Sequence, residues 1–308
     1  FISKFIIKQL FIMRIFDCFM YFDEEIVLDT RLNYLDPFVD YFVIVESNFT
    51  HSGKNRGLKF DINKFKKFQK KIIYKVFDVI PHDIEEILEN DDESTKSRKY
   101  ILNAIKRENA QRNYINEGIK SAEDNDLILV SDVDEIPNLS DKNIKNIKEK
   151  IILFKQEMFY YKFNLKLPNT DWIGTKGCKK INLKNPQWLR NIKDRKYSLF
   201  RIDAFFSNNK YIDVKIINKG GWHFTNIKKA EDIEYKLRSY LHHREFDHQK
   251  INSKDIKKIM ENKHAIYDLR VDKTVNKVGT GDKLEKYNLE NLPEVIKLNM
   301  GKYKEWLD

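Results

Sequence analysis

Cysteine is nearly absent from this 308-residue chain. Only Cys18 and Cys178 occur, and neither belongs to a C-x-x-C pair. A disulfide framework is therefore excluded, as is a metal-type cysteine pair. Cys18 lies in an apolar run, where a thiol is ordinarily buried, and a reducing compartment is the simpler setting. No Pro/Gly/Ser-rich linker divides the chain, no Gly-rich phosphate loop stands near its start, and no solenoid-type repeat recurs. Long apolar runs are also missing. Residues 1–13 are apolar but interrupted by Lys4 and Lys8, too short to span a bilayer, and without a signal-type cleavage site. Residues 1–12 are expected to lie upstream of the native start, because Met13 opens a better strand.

What is present is apolar bulk and positive charge. A hydrophobic content of 41% supplies one sizeable core. The 57 Lys and Arg against 47 Asp and Glu leave a net charge of +10. That surplus favours nucleic acid, an anionic membrane face or phosphate-bearing substrates without choosing among them. The abundant Lys, Asn and Ile also fit an AT-rich coding sequence.

Periodicity predicts strands at 13–22, 40–46, 71–79 and 126–131. Between them stand helices at 25–38 and 96–120, with a short one after residue 79. Alternation of this kind predicts a parallel, doubly wound α/β sheet with helices on both faces. After residue 151, aromatic strands, Gly-bearing loops around 174–177 and a strand at 211–217 predict a mixed extension. Helices are expected at 140–150, 228–246, 253–264 and 293–300, with His242 and His243 on a surface. The expected division is a catalytic domain over 13–226 and a helical region, 227–308, packed on it.

Asp132 and Asp134 follow the apolar strand 126–131 directly. In extended backbone, residues two apart present their carboxylates to one side, and ligands of open α/β sheets bind at such strand ends. Two hard oxygen ligands suit Mg²⁺ or Mn²⁺, whose shell is completed by substrate phosphates. A nucleotide sugar supplies those phosphates, and the cation would neutralise the leaving diphosphate. The same acids also suit a turn or a helix cap, and Glu135 fits a capping or supporting role. On helix 96–120, Glu108 and Arg112 share a face with Ile101, Ile105, Ile115 and Ile119. They form a self-satisfied ion pair, or Glu108 turns Arg112 toward a nucleotide. At Gly220-Gly221-Trp222-His223, the glycines allow close approach, Trp222 offers a flat face to a sugar, and His223 is a candidate third metal ligand.

These blocks resemble family 17 glycosyltransferases. The resemblance rests on Asp17-Cys18-Phe19, Val43-Ile44-Val45-Glu46-Ser47-Asn48-Phe49-Thr50, and Arg107-Glu108-Asn109-x-Gln111-Arg112-Asn113. It continues through Asp132-x-Asp134-Glu135-Ile136-Pro137 and Gly221-Trp222-His223. It spans residues 14 to about 245 and implies a GT-A type, Rossmann-like fold with a mostly parallel sheet. It also implies a UDP-sugar donor (UDP-N-acetylglucosamine in animal members), a divalent metal at Asp132 and Asp134 with His223 close to the site, and inversion at the anomeric carbon. Asp17, Arg107, Arg112, Asn113 and Trp222 are the expected donor-binding residues. The general base that inversion needs is sought among Glu46, Glu135, Asp171 and Asp203, with Glu46 preferred because it ends a central strand.

The membrane anchor and stem of the animal members are not visible. A cytoplasmic, membrane-peripheral enzyme acting on a glycan or glycolipid acceptor is expected, with no nucleic-acid partner. The rival readings are a phosphotransferase or phosphohydrolase using Asp132 as nucleophile, a nucleotidyltransferase, and a basic nucleic-acid binder. The first fits Glu135 and Ile136 poorly, the second lacks its phosphate loop, and the third lacks a recognised module.

Overall fold

Strand and helix alternate through the first half of the computed structural model, which describes residues 13–198, 201, 203, 206–240, 246, 251–267 and 281–308. Residues 1–12, His242 and His243 lie outside the described residues. β1 (Ile15–Tyr21), β2 (Tyr41–Ser47), β3 (Ile72–Phe77) and β4 (Leu127–Asp132) pair in parallel in the order β3-β2-β1-β4. Their short apolar runs need cover on both faces. The helix α1 (Glu25–Leu35) buries Val27, Leu28, Leu32 and Leu35 on one side. On the other, α2 (Glu93–Asn113) leads into α3 (Ile115–Gly118), where Ile115 and Ile119 meet Val43, Val45, Ile128 and Val130. Because β1 lies between β2 and β4, a topological switch point falls between β1 and β4.

The second half makes the sheet mixed rather than mostly parallel. β6 (Ile151–Tyr160) and β7 (Leu165–Lys179) are antiparallel, and β7 joins β4 antiparallel. β8 (Val214–Ile217) and β9 (Gly221–Thr225) run parallel to β6, while β5 (Glu135–Pro137) closes antiparallel on β9. Gly174 and Gly177 sit inside β7, not in a loop. A Cβ on Gly174 would fall 1.8 Å from Gln156 Oε1, so close approach, not a turn, requires glycine there. The helix expected at 140–150 is only a 3₁₀ turn, Lys142–Asn146, and the short helix expected after residue 79 is irregular chain.

The C-terminal elements return to both ends of this sheet. α5 (Ala230–Ser239) and α6 (Ser253–Glu261) bring Ile233, Leu237 and Ile256 onto Met158, Tyr160, Leu165 and Leu167. α7 (Glu294–Leu298) and α8 (Met300–Tyr303) pack toward α1, where Tyr303 donates its hydroxyl to Asp29 Oδ2 at 2.7 Å. Among the described residues, no helix is long and apolar enough to cross a membrane.

The start of β1 is tied to that of β4 by Asp126, whose carboxylate accepts from Arg14 N, Nε and Nη2 at 2.9, 3.0 and 2.6 Å. Burial pushes this carboxyl up, but the Arg14 bonds outweigh burial and hold it below the ordinary 3.8. A carboxylate depressed in the folded state stabilises fully above its unfolded pKa and loses that contribution as pH falls through the folded value. Asp126→Asn is expected to lower stability by about 1–3 kcal/mol at neutral pH. In denaturant titrations, its difference from the parent should shrink as pH drops below the ordinary aspartate range.

Candidate active site

β4 ends at Asp132, and a tight turn returns the chain into β5 at Glu135. Arg31 of α1, wholly buried, holds this turn from beneath. Its Nε and Nη2 donate to the two Asp17 oxygens at 2.8 and 2.6 Å, and Nη2 also reaches Ser131 Oγ at 2.6 Å. Its Nη1 donates to the carbonyls of Asp132, Val133 and Glu135 at 3.1, 3.1 and 2.9 Å. Asp17 is therefore Arg31's internal counter-ion and not a donor-binding group.

Asp132 and Asp134 line one cavity of about 820 Å³, but their surroundings differ. Asp132 lies between two arginines, with Oδ1 3.2 Å from Arg112 Nη2 and Oδ2 3.3 Å from Arg190 Nη2. Burial pushes Asp132 up, but Arg190 and Arg112 prevail and hold it well below the usual carboxylate range. Asp134 has His223 Nε2 at 3.6 Å and Lys236 Nζ at 3.5 Å. Among the described residues no group donates a hydrogen bond to it. Burial raises its pKa, and Lys236 and His223 offset only part of that. Lys236 is shared with Glu24, whose Oε1 lies 2.9 Å away. His223 Nε2 is 2.9 Å from Thr225 Oγ1, while Nδ1 is buried without a partner.

Among the described residues, no three His, Cys, Asp or Glu side chains form a ready metal cage. Asp134 and His223 are brought together, whereas Asp132 is engaged by arginines. A carboxylate that accepts no hydrogen bond among the described residues, beside an imidazole, still fits a divalent cation that takes its remaining ligands from substrate phosphates and water.

The four candidate base carboxylates are placed otherwise. Glu46 is fully buried and accepts from Lys59 N, Phe60 N, Tyr74 Oη and Arg56 Nη2 at 2.6–3.0 Å. With both oxygens committed, it fastens the loop after β2 and has none free for a substrate proton. Glu135 is also fully buried and saturated. It accepts from Trp172 Nε1 at 2.7 Å, from both terminal nitrogens of Arg190 at 2.8 and 3.0 Å, and from Asp132 N at 2.8 Å. Asp171 lies outside the cavity wall, half exposed and paired with Lys155 at 2.6 Å. Asp203 is exposed and held by Arg201 and Lys210.

Of the expected donor-binding residues, Arg112 faces the cavity, with Nη2 2.7 Å from Glu108 Oε1 and Nη1 2.5 Å from Gln187 Oε1. The i,i+4 pair and the orientation toward a ligand thus coexist. Arg107 instead donates to His51 O at 3.1 Å and braces the loop at Gly53. Asn113 accepts from Gln187 N at 3.0 Å, anchoring α4 (Pro186–Asn191). Trp222 is a core residue, edge-on to Tyr34 and bonded to Asn291 O at 3.1 Å. The close approach its glycines allow is to backbone: at Gly221, with φ +131°, a Cβ would lie 2.1 Å from Ile136 O.

Sequence reasoning missed Arg31, Arg190, Lys236, Glu24, Trp172 and His51. Arg31 carried a readable signal, a charge among Leu28, Leu32 and Leu35 on one helix face, the same cue that marked Arg112. Arg190 and Trp172 carried none. His51 lines the cavity with Nε2 3.0 Å from Gln111 Oε1 and Nδ1 buried without a partner. Gln111 Nε2 donates to Val45 O, so its Oε1 must accept from His51 Nε2–H. Nδ1 is then a vacant acceptor. Burial pushes His51 below its ordinary pKa.

Removing one member of a buried pair strands the other charge, at a cost of about 3–5 kcal/mol. Arg31→Met is expected to lose about that much in denaturant titrations. Arg31→Met combined with Asp17→Leu should recover a large part.

A comparison with curated proteins finds no match. The family model for Glycosyltransferase family 17 matches residues 7–307. This match takes in the Arg31-braced turn, both arginines and the Asp134–His223 pair, and the chain belongs to that glycosyltransferase family.

Proposed function

We propose that the chain is an inverting, divalent-metal-dependent glycosyltransferase of GT-A type. In this reading it moves N-acetylglucosamine, or a related sugar, from a UDP-linked donor to a hydroxyl of a glycan or glycolipid acceptor. One observation carries this: the Asp134 carboxylate, which accepts no hydrogen bond among the described residues and stands between His223 and Lys236, faces the same cavity as Arg112. That cavity lies at the β1/β4 switch point, where nucleotides bind in open α/β folds. Asp134 and His223 would hold Mn²⁺ or Mg²⁺, which supplies neutralising charge to a leaving diphosphate. Arg112 is oriented in advance by Glu108 and Asp132, so it can meet phosphate charge without reorganising, while Arg190 holds Asp132 and Glu135 from behind the cavity wall.

For the base, Glu108 fits best among the cavity carboxylates. One oxygen holds Arg112, and the other has no hydrogen-bond partner among the described residues. Lys236 and Lys228 outweigh the effect of burial on Glu24 and pull it down to about 2, which makes it a weak proton acceptor. Use of Asp132 as a phosphoryl acceptor is disfavoured, because each of its oxygens faces an arginine. Two free, buried thiols, Cys18 and Cys178, support a reducing, cytoplasmic setting.

UDP with Mn²⁺ is expected to raise the melting temperature, by the equivalent of about 2.7 kcal/mol at a hundredfold excess over Kd. Neither component alone should do so, and Asp134→Ala should abolish the shift. An unchanged melting curve with UDP, UDP-sugars and metal together would overturn the reading. Glu108→Gln should keep the UDP–Mn²⁺ shift yet lower turnover by about 100-fold or more. Near-normal turnover in that variant would exclude Glu108 as base.

A further inference from the structure

Helix α2 does not end with the sheet it covers. Ile115 and Ile119, just past its C-terminus, pack on β2 and β4, and Arg112 reaches Asp132 at the end of β4. Toward its N-terminus the helix therefore rises past the strand ends and walls the cavity. Ile101, Ile105, Glu108 and Arg112 all line that cavity. At helical spacing they fall within an arc of about 60°, and Ile101 stands about 16 Å along the axis from Arg112.

The opposite face of α2 is where this part of the helix is held. Asn103 exchanges hydrogen bonds with the backbone of Glu85 at 2.8 and 2.7 Å, and Lys99 pairs with Asp91 at 2.6 Å. Ile101 and Ile105 do not fasten it: neither belongs to a core cluster among the described residues, and Ile101 is 36% exposed. Two isoleucines left facing a cavity forfeit the gain of burial. Beside charged groups, such an apolar stripe marks a contact surface for a ligand with an apolar part.

The order along the stripe is that of the groups in a transfer. Arg112, placed to meet the leaving diphosphate, comes first. Glu108, the proposed base, is one turn along, and Ile105 and Ile101 follow. On the glycosyl-transfer reading, we propose that the acceptor is a glycoside with an apolar aglycone. Its sugar hydroxyl is presented at Glu108, and its alkyl chain lies along Ile105 and Ile101 toward solvent. The acceptor oxygen bonds to the anomeric carbon of the donor, its proton passes to Glu108, and UDP leaves. A free oligosaccharide would set hydroxyls against the two isoleucines and gain little from them. A lipid-linked donor, with its phosphate at Arg112, would lay its chain past Glu108 and across the acceptor's path.

The test is calorimetric titration of the full chain, with UDP and Mn²⁺ present, against methyl, butyl and octyl β-glucosides, β-galactosides and β-mannosides below their micelle concentrations. In at least one sugar series, affinity should rise with chain length, by about 10-fold or more from methyl to octyl. Turnover of that series with UDP-N-acetylglucosamine should show the gain in KM rather than in kcat. Ile101→Asn with Ile105→Asn should bring the octyl-to-methyl ratio to about 1 while keeping the rise in melting temperature with UDP and Mn²⁺. Ile101→Asn alone, at the more exposed site, should remove part of the octyl advantage. Affinity independent of chain length in every series, an octyl advantage that survives the double variant, or displacement of UDP by farnesyl phosphate would overturn the proposal. A parent melting curve unmoved by UDP and Mn²⁺ would overturn the glycosyl-transfer reading itself, a result obtained before any glycoside is added.

Discussion

Arg31 carries its charge where water does not reach, so every N–H of its guanidinium must find an acceptor inside the protein. The acceptors it finds are the Asp17 carboxylate, the Ser131 hydroxyl and three carbonyls of the turn after β4. A buried ion pair of this kind seldom adds net stability over an apolar replacement. What it supplies is a single shape for the turn, since one guanidinium nitrogen gathers the carbonyls of Asp132, Val133 and Glu135. That shape sets where Asp132 and Asp134 project. A change at the base of α1 thus reaches the cavity without any residue of α1 touching a ligand there.

From this turn outward, cations and carboxylates alternate. Arg112 and Arg190 flank Asp132, Glu108 and Glu135 hold those arginines, and Lys236 stands between Asp134 and Glu24. The groups come from α2, α4, α5, the β4–β5 turn and the segment before α1. Each side chain is aimed by an opposite charge on another element, so the site is ordered in advance of any ligand. Two carboxylates expected to perform chemistry, Glu46 and Glu135, are instead the fixing points of this scaffold. Each has four donors around it, which orients the neighbours and leaves no lone pair to accept a proton.

The parallel half of the fold was legible because local physics decides it. β2 and β4 are uninterrupted β-branched and apolar runs that are stable only when covered on both faces; α1 provides the cover on one side, and Ile115 and Ile119, just after α2, on the other. The Asp132–Asp134 motif and its place at a strand end were readable for the same reason, as was the Glu108–Arg112 pair at helical spacing. The antiparallel insertion of β7 between β4 and β6 was not, since its glycines look like turn residues in one dimension. They are small because side chains across the strand pairs occupy the space, Gln156 at Gly174 and Leu129 at Gly177.

By itself, then, the sequence determined which segments are buried strands, which helices cover them, and that acids emerge where β4 stops. Only the tertiary structure decided that Asp132 is hydrogen-bonded by two arginines while Asp134, between Lys236 and His223, accepts no hydrogen bond among the described residues. It also decided that Trp222 is core, that Trp172 and Lys236 reach the cavity, and that Arg190 holds Asp132 and Glu135 at its wall. Periodicity records which side of its own element a residue faces. A charge's role depends on which opposite charges other elements bring to it, and those partners lie up to a hundred or more residues away, as Arg31 lies from the turn it holds.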